Sequence, residues 1–253
     1  YLLARSGTEA VDAGTTKTKF AKKGGTLTLD EGSRIDILPD NTPDANGKTP
    51  TTTAGSVFTS SRVELSGRTV EFKDNATIVA PNATVNVRAA TAPVYVSVEL
   101  QENGSKLEQQ ADANAPVRIV MGAGSAIDVA GTQNTSASVA RNFVQTDLLG
   151  YQDLKDAPMQ KDGPLYRSKV TLDIRQSSPI LGDLQSYRDA VLKSVDEFMS
   201  TGGKVTLSSS GAVAMHPTAR LDVSGGKVTY TEATVAPTIL VAEDGQRYTL
   251  NTA

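Results

Sequence analysis

The stretch GGKVTLSSSGAVAMHPTARLDVS at Gly202–Ser224 decides how the chain is read. Val205, Leu207, Val213, Met215, Leu221 and Val223 recur at a spacing of two within short segments, and Thr, Ala and Asp stand between them. Side chains alternate across a strand, so this spacing gathers the apolar set on one face. The runs are short and separated by small residues, which makes the unit two or three strands rather than one. A single unit cannot bury such a face. Units stacked in one dimension can, and their backbone groups then pair between units. The opening pentapeptide returns 23 residues later as GGKVT at Gly225–Thr229, and a variant, GGTLT, stands at Gly24–Thr28.

Outward from that unit, four nine-residue stretches align without gaps: LDEGSRIDI at Leu29–Ile37, VAPNATVNV at Val79–Val87, MGAGSAIDV at Met121–Val129 and MHPTARLDV at Met215–Val223. Each is apolar at positions 1, 7 and 9 and carries Asp or Asn at position 8. Small or turn-forming residues fill positions 4 and 5, with Thr218-Ala219 the bulkiest pair. A coil of roughly 20–25 residues with three short faces predicts an all-β chain, a right-handed parallel β-helix (solenoid) with excursions. An antiparallel β-sandwich also has short strands at regular spacing, but its strands have no reason to repeat in sequence. Roughly eight or nine rungs about 4.8 Å apart would make a coil about 40 Å long. Val85, Val87, Ile127, Val129, Leu221 and Val223 are expected inside it, and Asn86, Asp128 and Asp222 outside.

The repeat is interrupted. Residues 1–139 read as rungs with loop excursions near 40–56 and 91–116, residues 140–201 as an excursion, and residues 202–253 as rungs again. The loop Asp40–Ser56 is polar and lacks apolar periodicity, whereas Thr91–Pro116 opens with the alternating run VYVSVEL and reads as a hairpin. In the large excursion, VTLDI at Val170–Ile174 predicts a strand. Leu184, Tyr187, Val191, Val195, Phe198 and Met199 follow the helical period, which predicts one amphipathic α-helix over about 183–199, with Asp183 as N-cap and Gly202-Gly203 as its stop.

Composition removes several function classes. The chain has 253 residues, enough to bury a core without a metal or disulfide staple. It contains no Cys, which excludes disulfides, thiolate metal sites and cysteine nucleophiles. A single His excludes a poly-His zinc site. Aromatics are 5% with no Trp, sparse for an enzyme pocket or a base-stacking surface. The net charge of −3 argues against nucleic acid as a partner. No run approaches the roughly 18 consecutive apolar residues of a membrane span. The chain opens at Tyr1 without a signal peptide, which reads as a fragment or a processed product.

The nonapeptides, the Gly-Gly-x-apolar-Thr starts and the Ala/Thr/Ser/Gly-rich turns together resemble filamentous-haemagglutinin-like exoproteins of two-partner secretion. GSAIDVAG at Gly124–Gly131 and TARLDVSGG at Thr218–Gly226 look most like their rungs. The stretch from Asn142 to Leu250, with DLLGYQDLKDAPMQKDGPLYR, resembles a module found inside some members. The resemblance implies a non-catalytic structural and adhesive segment of a large bacterial exoprotein, secreted or displayed at the cell surface. It serves adhesion, biofilm matrix or cell–cell contact. Its implied partners are an outer-membrane two-partner secretion transporter, reached through the parent protein, and a polysaccharide or cell-surface receptor. No secretion domain is evident, so the piece resembles an interior or carboxy-proximal one. Two alternatives stand beside it: a polysaccharide-acting enzyme on a parallel β-helix, and the receptor-binding segment of a contact-dependent toxin-delivery protein.

Candidate sites are few. His216 sits at a rung turn with no partner at triad spacing and reads as an exposed turn residue. Asp36, Asp128 and Asp222, with Asn86, occupy a repeat position, so alternation of polar-out with apolar-in explains them without chemistry. The calcium nonapeptide G-G-x-G-x-D is missing, so no metal and no cofactor is assigned. The sequons at Asn75, Asn82, Asn103 and Asn134 read as turn chemistry, with glycosylation left open. Lys17, Lys19, Lys22 and Lys23 read as a solvated surface. Tyr151 and Tyr166 lie in loop-like sequence of the excursion, where an exposed aromatic can stack on a sugar, and are the candidate ligand-binding residues.

Overall fold

In the computed structural model the described residues are 2–3, 5–6, 23–90, 116–147, 166–178 and 184–251. They form mostly strands, with two short α-helices. The chain divides into two compact units, one of Tyr1–Pro39, Thr59–Gln133 and Met199–Lys227, the other of Asp40–Phe58, Asn134–Phe198 and Val228–Ala253.

The first unit holds three parallel four-stranded sheets. Leu2–Leu3, Arg62–Gly67, Thr84–Ala89 and Lys204–Ser209 make the first; Thr26–Leu29, Thr69–Phe72, Arg118–Met121 and Ala212–Met215 the second; Arg34–Asp36, Thr77–Val79, Ala126–Asp128 and Arg220–Asp222 the third. The chain visits the three sheets in turn, and each visit lays a strand beside its predecessor. Four such passes are present among the described residues, fewer than the eight or nine rungs expected, because the excursions take the remaining length.

Register follows from the apolar alternation. Ile35, Ile78, Ile127 and Leu221 are aligned across the third sheet, as are Leu29, Phe72, Met121 and Met215 across the second. In the first sheet Val63, Val85 and Val205 align, and Leu65, Val87 and Leu207 align. Val70, Ile78, Val85, Val87, Ile119, Ile127 and Val129 are all 0% exposed. Burying each of these side chains contributes about 1.5–3 kcal/mol. Between them, outward residues bond across strands: Asn86 Nδ2 donates to Glu64 Oε1 at 2.7 Å, and Arg118 pairs with Glu71 at 3.3 Å; Lys73, on the same segment as Glu71, adds a pair at 3.0 Å.

Two details of the expected repeat are corrected. Leu29–Ile37, Met121–Val129 and Met215–Val223 lie in register, but the second-pass member is Phe72–Ala80 (FKDNATIVA) and not Val79–Val87. Val79–Val87 instead turns the next corner, from the third sheet into the first. It mimics the repeat because the corners share one turn. Gly32, Asn75, Asn82 and Gly124 all have φ between 58° and 67°, the left-handed region that Gly and Asn reach most readily. Each turn closes with an i to i+3 bond, for example Ser33 N–H to Asp30 O at 2.9 Å and Ala83 N–H to Ala80 O at 3.0 Å. Asp36, Asp128, Asp222 and Asn86 therefore do not form one continuous column. Val79 stands between Asp36 and Asp128, and Asn86 belongs to another sheet beside Glu64 and Thr206.

The second correction concerns burial in the fourth pass. Leu221 and Val223 continue the inward columns, yet they are 39% and 51% exposed. The fourth-pass strands sit at one end of each sheet order, with a described strand on one side alone. The second GGKVT, Gly225–Thr229, does not start a fifth pass. Its strand Val228–Thr231 pairs in parallel with Thr135–Ser138 in the second unit, so the residues from Val228 onward, read as rungs, leave the first unit.

The second unit is built from pairs. Phe143–Asp147 runs antiparallel to Lys169–Asp173, at the strand expected for Val170–Ile174, and Ile239–Val241 runs antiparallel to Arg247–Thr249. Val170, Leu172, Leu184 and Leu250 form its buried cluster, with Tyr187 and Leu240 packed against them. The single helix expected over 183–199 is replaced by two, Gln185–Asp189 and Val195–Phe198, separated by the strand Leu192–Ser194. That strand pairs antiparallel with Thr51–Thr53 of the polar loop, and Ala54 N–H donates to Val191 O at 2.7 Å. Cross-strand pairing of these backbone groups wins over helical bonding. A restart signal was present in the sequence: Ser194 and Glu197 form a reciprocal capping box, Ser194 N–H to Glu197 Oε2 at 3.0 Å and Glu197 N–H to Ser194 Oγ at 3.4 Å. Leu184 precedes the first helix without a side-chain cap bond, and Asp183 lies outside the described residues. So does the hairpin expected in Thr91–Pro116, apart from Pro116.

Two stability outcomes are expected from this architecture. A methyl group added at Gly202 would collide with the carbonyl oxygen of Val223, whereas at Gly225, the same position of the repeated pentapeptide, nothing among the described residues lies within 4 Å. Gly202→Ala is expected to destabilise by about 2–3 kcal/mol and Gly225→Ala to be near neutral in urea unfolding. Equal losses would refute the difference between the two copies. Ile127→Asp is expected to cost several kcal/mol by placing an unpaired charge in the aliphatic column; wild-type stability would show that the column is not a dry core.

Candidate functional site

In the second unit six polar or aromatic residues converge on a pocket of about 470 Å³: Arg141, Asn142, Arg175, Arg188, Lys193 and Tyr230. Val139, Ile174 and Val191 supply apolar wall. Arg141 and Asn142 sit on a 3-10 turn, Val139–Asn142, capped by Ser138, whose Oγ accepts the Ala140 N–H at 3.2 Å. Arg175 follows the strand Lys169–Asp173, Arg188 lies on the helix Gln185–Asp189, Lys193 on the strand Leu192–Ser194 and Tyr230 on the strand Val228–Thr231.

The four cations are held differently. Arg141 NH1 donates to both carboxylate oxygens of Glu197 at 2.6 and 2.8 Å and to Leu192 O at 3.3 Å. The Glu197 side chain is only 5% exposed, so this pair is largely withdrawn from water. Arg141 also lies over the Tyr230 ring, 5.8 Å from its centroid. Its Nε is buried with no hydrogen-bond acceptor among the described residues. Arg175 donates to Asp173 through Nε at 2.9 and 3.1 Å and through NH2 at 2.6 Å. That guanidinium holds the Asp173 carboxyl below its ordinary range; partial burial opposes the shift and the Arg175 backbone N–H, at 3.0 Å, adds to it. Arg188 donates to neutral acceptors, Ile174 O at 3.1 Å and Gln185 Oε1 at 3.0 and 3.2 Å. Lys193 Nζ stands 5.7 Å from the centroid of Phe198, which stacks on Phe58 at 5.3 Å. No carboxylate pairs with Lys193 among the described residues. The arrangement suits an anion with an apolar face, and the described lining contains no carboxylate to act as acid or base.

Sequence reasoning singles out none of these lining residues as a candidate site. Tyr151 lies outside the described residues. Tyr166 is exposed, with Arg167 over its ring at 5.4 Å, and does not line the pocket. Arg141, Arg188, Lys193 and Tyr230 were missed because they lie far apart in a sequence where acidic residues are interspersed among the basic ones. Their convergence depends on pairing that no local pattern announces.

The remaining candidates have local roles. His216 is exposed; its Nδ1 accepts from Thr218 N–H at 3.2 Å and lies 2.8 Å from Thr218 Oγ1, all within its own turn. Asp36 pairs with Arg34 at 2.7 Å, Asp128 accepts Ala130 N–H at 2.9 Å and Asp222 accepts Ser224 N–H at 2.9 Å. Among the described residues no group of three or more His, Asp or Glu is placed to hold a metal ion, and no helix is long and apolar enough to cross a membrane. Asn82 is buried. Its Nδ2 donates to Thr201 Oγ1 at 2.6 Å and its Oδ1 accepts from Ser60, so the folded chain hides this sequon, whereas Asn75 and Asn134 are exposed. Comparison with protein-family models, with curated proteins and with solved structures finds no match.

The Asp173–Arg175 pair carries a pH signature. A carboxyl depressed in the folded state stabilises the fold above its ordinary value, near 3.8, and loses that contribution as pH falls through the lower folded value. Asp173→Asn is expected to lower stability near neutral pH and to flatten the loss on acidification, as read by circular dichroism in a pH series. An acid profile identical to wild type would show that this carboxyl is not linked to folding.

Proposed function

We propose that the first unit is a right-handed parallel β-helix and that the protein is a non-catalytic structural and adhesive segment of a large bacterial exoprotein, secreted or displayed at the cell surface. The observation that carries this reading is the set of in-register aliphatic columns running through three parallel sheets. A chain so organised lengthens by adding passes, and segments leave it at corners without breaking the ladder. Such a scaffold supports adhesion, since loops on a rigid frame commonly carry recognition. In this reading the excursions provide the contact surface, and the receptor is a polysaccharide or a cell-surface molecule. Export runs through an outer-membrane two-partner secretion transporter that acts on the parent protein. The resemblance of the rung sequences to filamentous-haemagglutinin-like exoproteins supports both the export route and the adhesive role.

Fluorescently labelled chain is expected to bind saturably to intact cells, or to the extracted matrix polysaccharide, of the bacterium that makes it, and to be displaced by unlabelled chain. Lack of saturable binding to either would defeat the adhesive reading. New reducing ends or unsaturated sugars appearing in the polysaccharide would replace it with an enzyme.

A further inference from the structure

We propose that the pocket of the second unit binds the carboxylate of an acidic sugar, a uronate residue within a polysaccharide; this deepens, and rests on, the adhesive reading. Charge is the first argument. Two cations at the pocket are matched by carboxylates, Arg141 by Glu197 and Arg175 by Asp173. Lys193 has no carboxylate partner among the described residues. Its positive charge therefore stands at the pocket without a described counter-charge, in a chain whose net charge is −3. The second argument is convergence: Arg141, Arg175, Arg188 and Lys193 come from separate elements and line one pocket whose described lining holds no carboxylate.

The third argument separates a sugar from a bare anion. Tyr230 is 56% exposed at the pocket although aromatics are only 5% of the chain, and one side of its ring already faces Arg141. An exposed ring beside cations offers an apolar surface to the C–H face of a sugar and leaves the charge to the carboxylate. Asn142 offers an amide, able both to donate to and to accept from hydroxyls. A volume of about 470 Å³ lies within the range of roughly 300–1,000 Å³ typical of small-molecule sites. It admits one sugar unit with its neighbours extending outward. A phosphate or an acidic peptide would use the cations but not the ring.

Calorimetric titration of the full chain with oligogalacturonate tests the assignment, beside neutral malto-oligosaccharide, oligoglutamate and inorganic phosphate. Oligogalacturonate is expected to bind and to weaken as salt is raised. Lys193→Glu is expected to lower its affinity at least about tenfold, and Tyr230→Ser about fivefold. Lys204→Glu, an equal change of charge on an outward strand position of the first unit, is expected to change it little. Circular dichroism confirms folding of each variant, and the Tyr230 variant stands independently of any charge effect. Oligoglutamate or phosphate binding as tightly as the uronate would overturn the sugar assignment. So would affinity unchanged in both pocket variants, or tighter binding of the neutral oligosaccharide. Failure of the wild-type chain to bind oligogalacturonate, with saturable binding to cells intact, overturns this inference alone. Uronate binding without cell binding strikes the adhesive reading instead.

Discussion

The first unit depends on the hydrogen bonding of each pass to the next. Its strands are three to six residues long in passes two to four, too short to stand alone, and every one of them is paired in parallel with its counterpart in the preceding pass. Parallel pairing at fixed register forces like positions to stack, so one inward position recurs as a column. If that position is aliphatic in each pass, the column is dry; one polar intruder would break it for its neighbours on both sides. This explains why Ile35, Ile78, Ile127 and Leu221 are so alike while the residues between them vary from Asp to Val.

Corners carry the second constraint. A pass closes only if the chain turns sharply between sheets; in passes one to three that turn uses one residue in the left-handed region, whereas the fourth-pass turn His216–Ala219 closes without one. Gly or Asn supplies it at Gly32, Asn75, Asn82 and Gly124. Asn82 does more, because its amide also bonds to Ser60 and to Thr201, tying the second-pass corner to the start of the fourth. Turn and column together define the spacing of the nonapeptides, and both act locally enough to leave a trace in the sequence.

That is why the parallel strands were legible and the pocket was not. Apolar alternation at Ile127–Val129 or Leu221–Val223 is written in adjacent residues, and the identity of the corner turn is written in Gly and Asn. The same economy produced an error. Val79–Val87 has the right turn and alternation but lies one corner later, since corners of equal geometry look alike. The helix was misjudged for a different reason. Its period is sound over five residues, but Leu192–Ser194 finds a partner strand in Thr51–Thr53, more than a hundred residues away in sequence, and only the Ser194–Glu197 box marks the interruption locally. Arg141, Arg188, Lys193 and Tyr230 meet through pairings of that distant kind.

Gly131 and Ser200 lie so close that a methyl group on Gly131 would strike the Ser200 carbonyl. The chain thus leaves the third pass and returns to start the fourth at nearly one point. A segment whose two ends are held together from outside has no length prescribed by its frame, and doubling a flexible loop raises its closure cost by only about 0.6 kcal/mol. Thr132–Met199 can therefore change in length while each aliphatic column keeps its members. It does not change alone, because Thr51–Thr53 and Val228–Thr231 pair with strands inside it and have to change with it.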